Sequence, residues 1–300
     1  MRIVTRIRDL PRGPIHDLYF CWWWTAAAAP IALARSFSKP SIVTGTFNHH
    51  VYAQRPLYQR KVIAWAASHA TANVFVSDLE RTAVTSMISV ARPSVSPHTV
   101  DTTIYAPNAK GDSERDPNLL VSVVHLGGGN SIRKCVAESI RALARLAESR
   151  PDIRLVVAGE RGSDYPGLAR LAGELGVGEC VSFPGRVTRE EKISLMQRCA
   201  VYLQPSTFEG FGLAGLEAMS CGAPVVTSAV GAVPEVGGDV VVYVNGEDPE
   251  AIAAAVGNLL DEPARREAMG LAARARAVRE FSPQRRLGDL ANVLRTIGLP

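Results

Sequence analysis

Residues 205 to 226 read "PSTFEGFGLAGLEAMSCGAPVV" and carry two carboxylates eight positions apart, Glu209 in a glycine-rich turn and Glu217 in a helical pattern. Gly210 and Gly212 let the backbone approach a ligand closely. A helix starting near Leu213 presents unpaired N–H groups and the positive end of its dipole. Such a turn suits phosphate. Glu217 lies too far along the helix to meet phosphates without repulsion, but a carboxylate can accept two hydrogen bonds from a vicinal diol such as ribose. Glu209, ahead of the turn, falls on the other side of the phosphates, near whatever group they carry. A loop of this form measures out a nucleotide diphosphate bearing a sugar. From spacing alone, a plain loop glutamate and a solvated helix glutamate account for the same residues.

An alternation of strands and helices positions this loop. From residue 119 the pattern predicts strands at 119–126, 153–158, 180–183, 200–203, 224–227 and 240–244. The helices between them fall at 134–149, 167–175, 189–199 and 213–221, and two more at 249–260 and 263–281 follow. Before residue 110 the same alternation is shorter, with strands at 18–23, 41–43 and 73–76 and helices at 25–35, 56–70 and 78–87. Apolar, β-branched strands between helices imply an α/β chain with doubly wound parallel sheets. The polar stretch "YAPNAKGDSERDPN", residues 105–118, divides the chain into a first domain, 1–110, a linker, 111–118, and a second domain, 119–300.

Composition narrows the classes. A chain of 300 residues, 47% hydrophobic and 21% charged, can bury the cores of about two domains. Five cysteines with no CxxC pair indicate neither a disulfide framework nor a zinc site, and a reducing cytoplasm fits them. The basic start "MRIVTRIRDLPRG" leads into no signal-peptide core. "LYFCWWWTAAAAPIALA", residues 18–34, is uncharged throughout; it fits either a membrane span of minimal length or a buried strand running into an Ala-rich helix, and Pro30 and Thr25 favour the second. Residues 1–110 hold 12 Lys and Arg against 5 Asp and Glu, whereas residues 111–300 hold 21 against 24. The first part therefore presents either a cationic face for an anionic partner or an ordinary solvated basic surface. No dense basic run with interleaved aromatics suggests nucleic acid. No His, Asp or Glu spacing suggests a metal, no G-x-S-x-G elbow is present, and "GGGN" lacks the dinucleotide order. The expected chemistry uses no metal and no cofactor.

"EGFGLAGLE" resembles the E-x7-E signature of retaining glycosyltransferases of the GT-B fold, family 4. "VVAGE", "VSFPGRV" and "GAVPEV" stand around it in that family's order, and the resemblance covers residues 119–281. It implies two Rossmann-like domains. Glu217 would hold the nucleotide ribose and Glu209 would sit beside the donor sugar. The Gly210 turn with the backbone of Phe211, Gly212 and Leu213 would meet the diphosphate and sugar, and Gly185, Arg186 and Val187 would border the base. The family commonly supplies an Arg and then a Lys after the first strand of this domain. In "HLGGGNSIRKCV" the usual Arg position is glycine, Lys134 matches the Lys, and Arg133 stands beside it as a second cation for the diphosphate.

The first domain resembles the later half of the family's acceptor domain, and its earlier half is expected to be absent. His49 or His50 would supply the active-site histidine near the donor sugar, although a structural or exposed histidine fits the same position. The resemblance thus implies a hexosyl transfer from a nucleotide-diphosphate sugar to a sugar or lipid-linked acceptor, with retention, in cell-envelope or polysaccharide biosynthesis. Glu209, Lys134 and His49 would be its catalytic residues. A non-catalytic nucleotide-sugar-binding protein or partner subunit is the competing expectation. The shortened, basic first domain, with Trp22 to Trp24 poorly covered, is expected to meet an anionic membrane or a partner chain, which gives a cytoplasmic protein peripheral at the inner membrane face.

Overall fold

The computed structural model describes residues 17–47, 49–108 and 115–299, of which 49–51 by backbone alone. The chain divides into two units, one formed by residues 1–98 with 284–300 and the other by residues 99–283. Each is an α/β unit around a parallel sheet, as the alternation predicts.

The first unit runs β1 (Tyr19–Cys21), α1 (Ala28–Ser36), β2 (Ser41–Thr44), α2 (His49–Gln54), α3 (Leu57–His69), β3 (Ala72–Phe75), α4 (Asp78–Met87) and β4 (Pro93–Val95). Its four strands lie in chain order, all parallel. Residues 18–34 are cut into β1, a short 3-10 turn at Trp24–Ala26 and α1, because the Trp24 indole turns inward. That ring stacks on Phe75 at 5.0 Å, meets Phe47 edge-on at 5.3 Å and donates to the Gly45 carbonyl at 3.0 Å. Trp22 and Trp23 remain 44% and 58% exposed. No helix among the described residues is long and apolar enough to cross a membrane. Strand β4 is absent from the sequence expectation, since "PSV" is too short and too polar to register as apolar alternation.

The second unit runs β5 (Asp116–Val123), α5 (Asn130–Arg133), α6 (Val136–Ala147), β6 (Arg154–Ala158), α7 (Tyr165–Glu174), β7 (Val181–Gly185), α8 (Arg189–Arg198), β8 (Cys199–Gln204) and α9 (Leu213–Ser220). It closes with β9 (Val225–Thr227), α10 (Val233–Gly237), β10 (Val242–Tyr243), α11 (Pro249–Asp261) and α12 (Pro263–Phe281). The sheet order is β10-β9-β8-β5-β6-β7, all parallel. Strand β8 is buried at every residue, as a central strand covered on both faces must be. Helix α6 buries Val136, Ile140, Leu143 and Leu146 at the spacing of one helical face. A capping box starts α8: the Thr188 hydroxyl accepts from the Glu191 amide at 3.2 Å, and the Glu191 carboxylate accepts from the Thr188 amide at 2.7 Å.

The boundary expected at 111–118 falls instead at residue 98, and the second domain does not extend to residue 300. Residues 99–108 are held to the second unit by their carbonyls. Arg274 donates to those of Thr102 and Tyr105, each at 2.9 Å, and Gln197 donates to that of Ala106 at 2.7 Å. The final helix, α13 (Pro283–Thr296), returns to the first unit. Its Val293 joins Ile42, Ala72 and Val74 in a small core, and Arg286 donates to the carbonyls of Ser96 and Pro97 at 3.2 and 2.5 Å. Carbonyl partners and a helix crossing back between units leave no mark on local composition.

His98 ends the first unit's main segment, its Nε2 3.1 Å from the Thr46 hydroxyl. Burial and the neighbouring Arg286 guanidinium push it down to about 4. The fold therefore favours the neutral imidazole. That contribution to stability is complete above pH ~6.5, the ordinary histidine value, and is lost as the pH falls toward ~4. His98→Gln should flatten the fall of melting temperature with pH over this window, as read by calorimetric melts; an unchanged slope would remove His98 from the acid sensitivity of the fold.

Candidate active site

The sheet of the second unit reverses direction at β5. The chain steps outward through β6 and β7, returns to β8 on the other side of β5, and steps outward again through β9 and β10. In doubly wound sheets the crevice at the carboxyl ends of the strands flanking such a reversal receives the ligand. The loop after β5, residues 124–129, and the loop after β8, residues 205–212, both open there.

The loop after β5 leads into α6, which bears out the helix expected at 134–149 within two residues, but a short extra turn, α5, precedes it. Cys135 adopts φ of 45°, which separates α5 from α6. The Arg133 carbonyl beside the break accepts from the Thr207 amide at 2.9 Å, so the two site loops are joined by backbone. A left-handed non-glycine residue is strained and persists where its surroundings over-determine it. Burial pushes the Cys135 thiol up to about 11, with Glu138 and Glu247 adding to the shift, which makes it a packing group and no nucleophile.

The break turns both cations of this segment toward Glu209. Arg133 Nη1 donates to the Phe208 carbonyl at 2.7 Å and to Glu209 Oε1 at 3.3 Å, while its Nη2 donates to Asn130 Oδ1 at 2.5 Å. The Lys134 ammonium pairs directly with the same Glu209 oxygen, and the Ser206 hydroxyl donates to it at 3.2 Å. Burial lowers the Lys134 ammonium from its ordinary value, against the opposing pull of Glu209. A buried carboxylate must be compensated. Here two cations meet one anion, and Arg133 also holds the Phe208 carbonyl at the start of the turn. The sequence assigned Lys134 to the phosphates and Glu209 to the sugar; the structure brings Lys134, Arg133 and Glu209 into one cluster.

Gly210 is exposed, Phe211 is buried, and Gly212 takes φ of 87° to start α9, whose first residue, Leu213, is exposed. A Cβ on Gly212 would lie 3.1 Å from the Gln204 amide nitrogen and 3.2 Å from Val233, so glycine is needed for space as well as for conformation. Glu217, one turn along, is engaged by a residue the sequence reading missed: Lys192, on α8, donates to its two carboxylate oxygens at 2.9 and 2.8 Å. Gly231 was missed too. Its φ is 54°, and a Cβ there would come within 1.7 Å of the Glu209 carbonyl oxygen. The "GAVPEV" stretch marked Gly231's loop, whereas a lone lysine in "REEKIS" carried no signal.

Gly185 ends β7 with φ of 84°, followed by the exposed Arg186 and half-buried Val187. Arg161 lies against this corner, donating to the Phe183 carbonyl at 2.8 Å and resting 4.8 Å from the Tyr165 ring. His49 opens α2 in the first unit, and its side chain lies outside the described residues. Among the described residues no group of His, Cys, Asp and Glu could hold a metal ion.

Residues 109–276 match the family described as glycosyl transferases group 1. The chain is 33% identical to the GDP-mannose-dependent alpha-(1-6)-phosphatidylinositol monomannoside mannosyltransferase of Mycolicibacterium smegmatis, an alignment covering 93% of this chain and 77% of that protein. It is 32% identical to a D-inositol 3-phosphate glycosyltransferase of Thermobifida fusca over 58% of this chain and 43% of that one. Among solved structures, Anabaena Alr3699/HepE in complex with UDP superposes with a TM-score of 0.81 at 18% identity, over 94% of this chain and 79% of that chain, a likeness of fold.

The Gly231 contact gives a direct test of the loop geometry. Gly231→Ala should weaken binding of a nucleoside diphosphate at least ~10-fold, because the new methyl must displace the Glu209 turn. Gly176, with φ of 71° and open space around it, is the control. Gly176→Ala should cost only the ~1–2 kcal/mol of a left-handed alanine and leave binding intact. Calorimetric titration of both variants checks this, and equal affinities would place Glu209 away from the ligand.

Proposed function

The chain belongs to the glycosyl transferases group 1 family and works as a glycosyltransferase; on that premise we propose that it moves a mannosyl group from GDP-mannose to a hydroxyl of a sugar or lipid-linked sugar, with retention at the anomeric carbon, in cell-envelope biosynthesis. The observation that carries the reading is the convergence of Arg133, Lys134 and the Gly212 helix start at the β5/β8 reversal. The mannosyl donor follows the Mycolicibacterium smegmatis relative, which aligns with nearly the whole of this chain.

In the proposed reaction the bond from C1 to the diphosphate oxygen breaks, the acceptor oxygen bonds C1 on the same face, and the acceptor proton passes to the departing phosphate oxygen. Negative charge grows on the diphosphate as the bond breaks, and the first-turn amides of α9 with the two cations gathered at Glu209 would stabilise it there. Fixed donors of this kind do not have to reorganise during the step. Glu209 keeps the Lys134 ammonium in place beside the turn. Glu217, on the next turn, accepts the ribose hydroxyls.

The proposal extends to a peripheral seat on an anionic membrane, which would bring the enzyme to a lipid-linked acceptor. Residues 18–77 contain no Asp or Glu and five Lys and Arg. Helix α3 exposes Leu57, Tyr58, Val62 and Trp65 beside Lys61, and each basic residue near such a surface adds ~1 kcal/mol.

Turnover of GDP-mannose, UDP-glucose and ADP-glucose by the purified protein tests the donor, with mannosyl transfer expected and donor binding without turnover pointing to a non-catalytic sugar-nucleotide binder. Lys134→Ala should lower turnover ~10–100-fold while nucleoside monophosphate binding changes little, since the developing charge lies on the diphosphate. Equal losses for mono- and diphosphate would remove Lys134 from the phosphates. Cosedimentation with vesicles containing phosphatidylglycerol should fail for the double variant Leu57→Ser, Trp65→Ser. A wild-type protein that ignores these vesicles at low salt would end the membrane reading.

A further inference from the structure

Lys192 projects from α8 across to α9 and is 21% exposed, and its partner Glu217 is 20% exposed. The ammonium touches both carboxylate oxygens almost symmetrically, at 2.9 and 2.8 Å, and rests 5.0 Å from the centre of the Tyr105 ring. Tyr105 is itself fixed, because its carbonyl accepts from Ser220 at 2.5 Å and from Arg274 at 2.9 Å. The lysine therefore has a rigid aromatic floor on one side and the carboxylate on another. Burial alone would lower the Lys192 ammonium, but Glu217 and the Tyr105 phenol outweigh it and raise it above its ordinary value.

Two consequences follow for a ligand in the crevice. A carboxylate offers about four lone-pair sites. An ammonium bridging both oxygens uses the inner site on each and fixes the plane of the group, leaving one outer site on each oxygen; these outer sites diverge, so each can accept from a single ribose hydroxyl at a fixed point. The charge matters as well. An uncompensated carboxylate one helical turn from a diphosphate would repel it, and the adjacent ammonium cancels most of that field.

We propose that Lys192, seated on the Tyr105 ring, is a positioning residue for nucleotide recognition: it chelates the Glu217 carboxylate and holds it so that the outer lone pair of one oxygen is presented to a ribose hydroxyl, and selection for the ribose hydroxyls depends on Lys192. The proposal rests on the reading of Glu217 as the ribose acceptor. Lys192 touches neither phosphate nor sugar; it acts through Glu217.

The test compares GDP and UDP with their 2′,3′-dideoxy forms on the full chain by calorimetric titration. For the nucleotide bound, the diol form should bind ~10–100-fold tighter than the dideoxy form, the scale of charge-assisted hydrogen bonds. Glu217→Ala should bring that ratio to ~1. Lys192→Met, with Lys192→Gln as a second variant, should reduce it to below ~3 on top of a common loss in both forms from the unscreened Glu217 charge, and an unchanged melting temperature shows that the variants are folded. An equal loss for both forms means that Lys192 merely braces two helices, and the proposal falls. A ratio that survives in both lysine variants but collapses in Glu217→Ala overturns the Lys192 role alone. A ratio near one in the wild type, one untouched by Glu217→Ala, or no binding of either nucleotide, overturns the ribose reading and this proposal with it.

Discussion

The reversal of strand order between β5 and β8 is the constraint on which the rest of the second unit depends. It sets two loops side by side whose key residues, Lys134 and Glu209, are 75 positions apart in the chain. Everything chemical in the crevice hangs on that adjacency. The Arg133 carbonyl meets the Thr207 amide, the left-handed Cys135 separates the short α5 from α6, and Arg133 and Lys134 both meet the Glu209 carboxylate.

Charge balance explains how a site can hold two glutamates beside the helix start proposed to receive a diphosphate. Each carboxylate has a cation from another element: Glu209 has Lys134 and Arg133 from the β5 side, and Glu217 has Lys192 from α8. The repulsion that the bare spacing implies is thereby cancelled locally, and in the proposed reaction the helix start and Arg133 would be left to meet the phosphates. The glycines complete the arrangement by space rather than by charge, Gly212 under Gln204 and Val233, and Gly231 against the backbone of Glu209.

Arginines reading carbonyls decide where the units begin and end. Arg274 fastens residues 102–105 to the second unit and also caps α9 at the Ser220 carbonyl, at 2.8 Å. Arg115 gathers the carbonyls of Met196, Cys199 and Cys221 at 3.0 to 3.1 Å, and Arg286 those of Ser96 and Pro97 in the first unit. The segment that enters the second unit thus lies against the helix that carries Glu217, and its Tyr105 ring becomes part of the site's supporting wall.

Much of this was legible beforehand, for definite reasons. Apolar periodicity is a local property, so α12 was read at its observed bounds, 263–281, and the core strands within a few residues. The Glu209 to Glu217 turn was legible because glycine spacing and a helix start are encoded in consecutive residues. What stayed hidden was whatever one segment does for a distant one. Lys192 looked like any exposed lysine until α8 lay against α9. Strand β4 needed β3 as its partner to be a strand at all, and α13 needed the patch formed by Ile42, Ala72 and Val74 to be drawn back to the first unit. Sequence by itself determined the element types, the parallel α/β class and the glycine-rich turn between Glu209 and Glu217, because those follow from side-chain period and backbone freedom. Tertiary structure alone decided which cation meets which carboxylate and where the units divide, because those are set by contacts between segments that local pattern does not constrain.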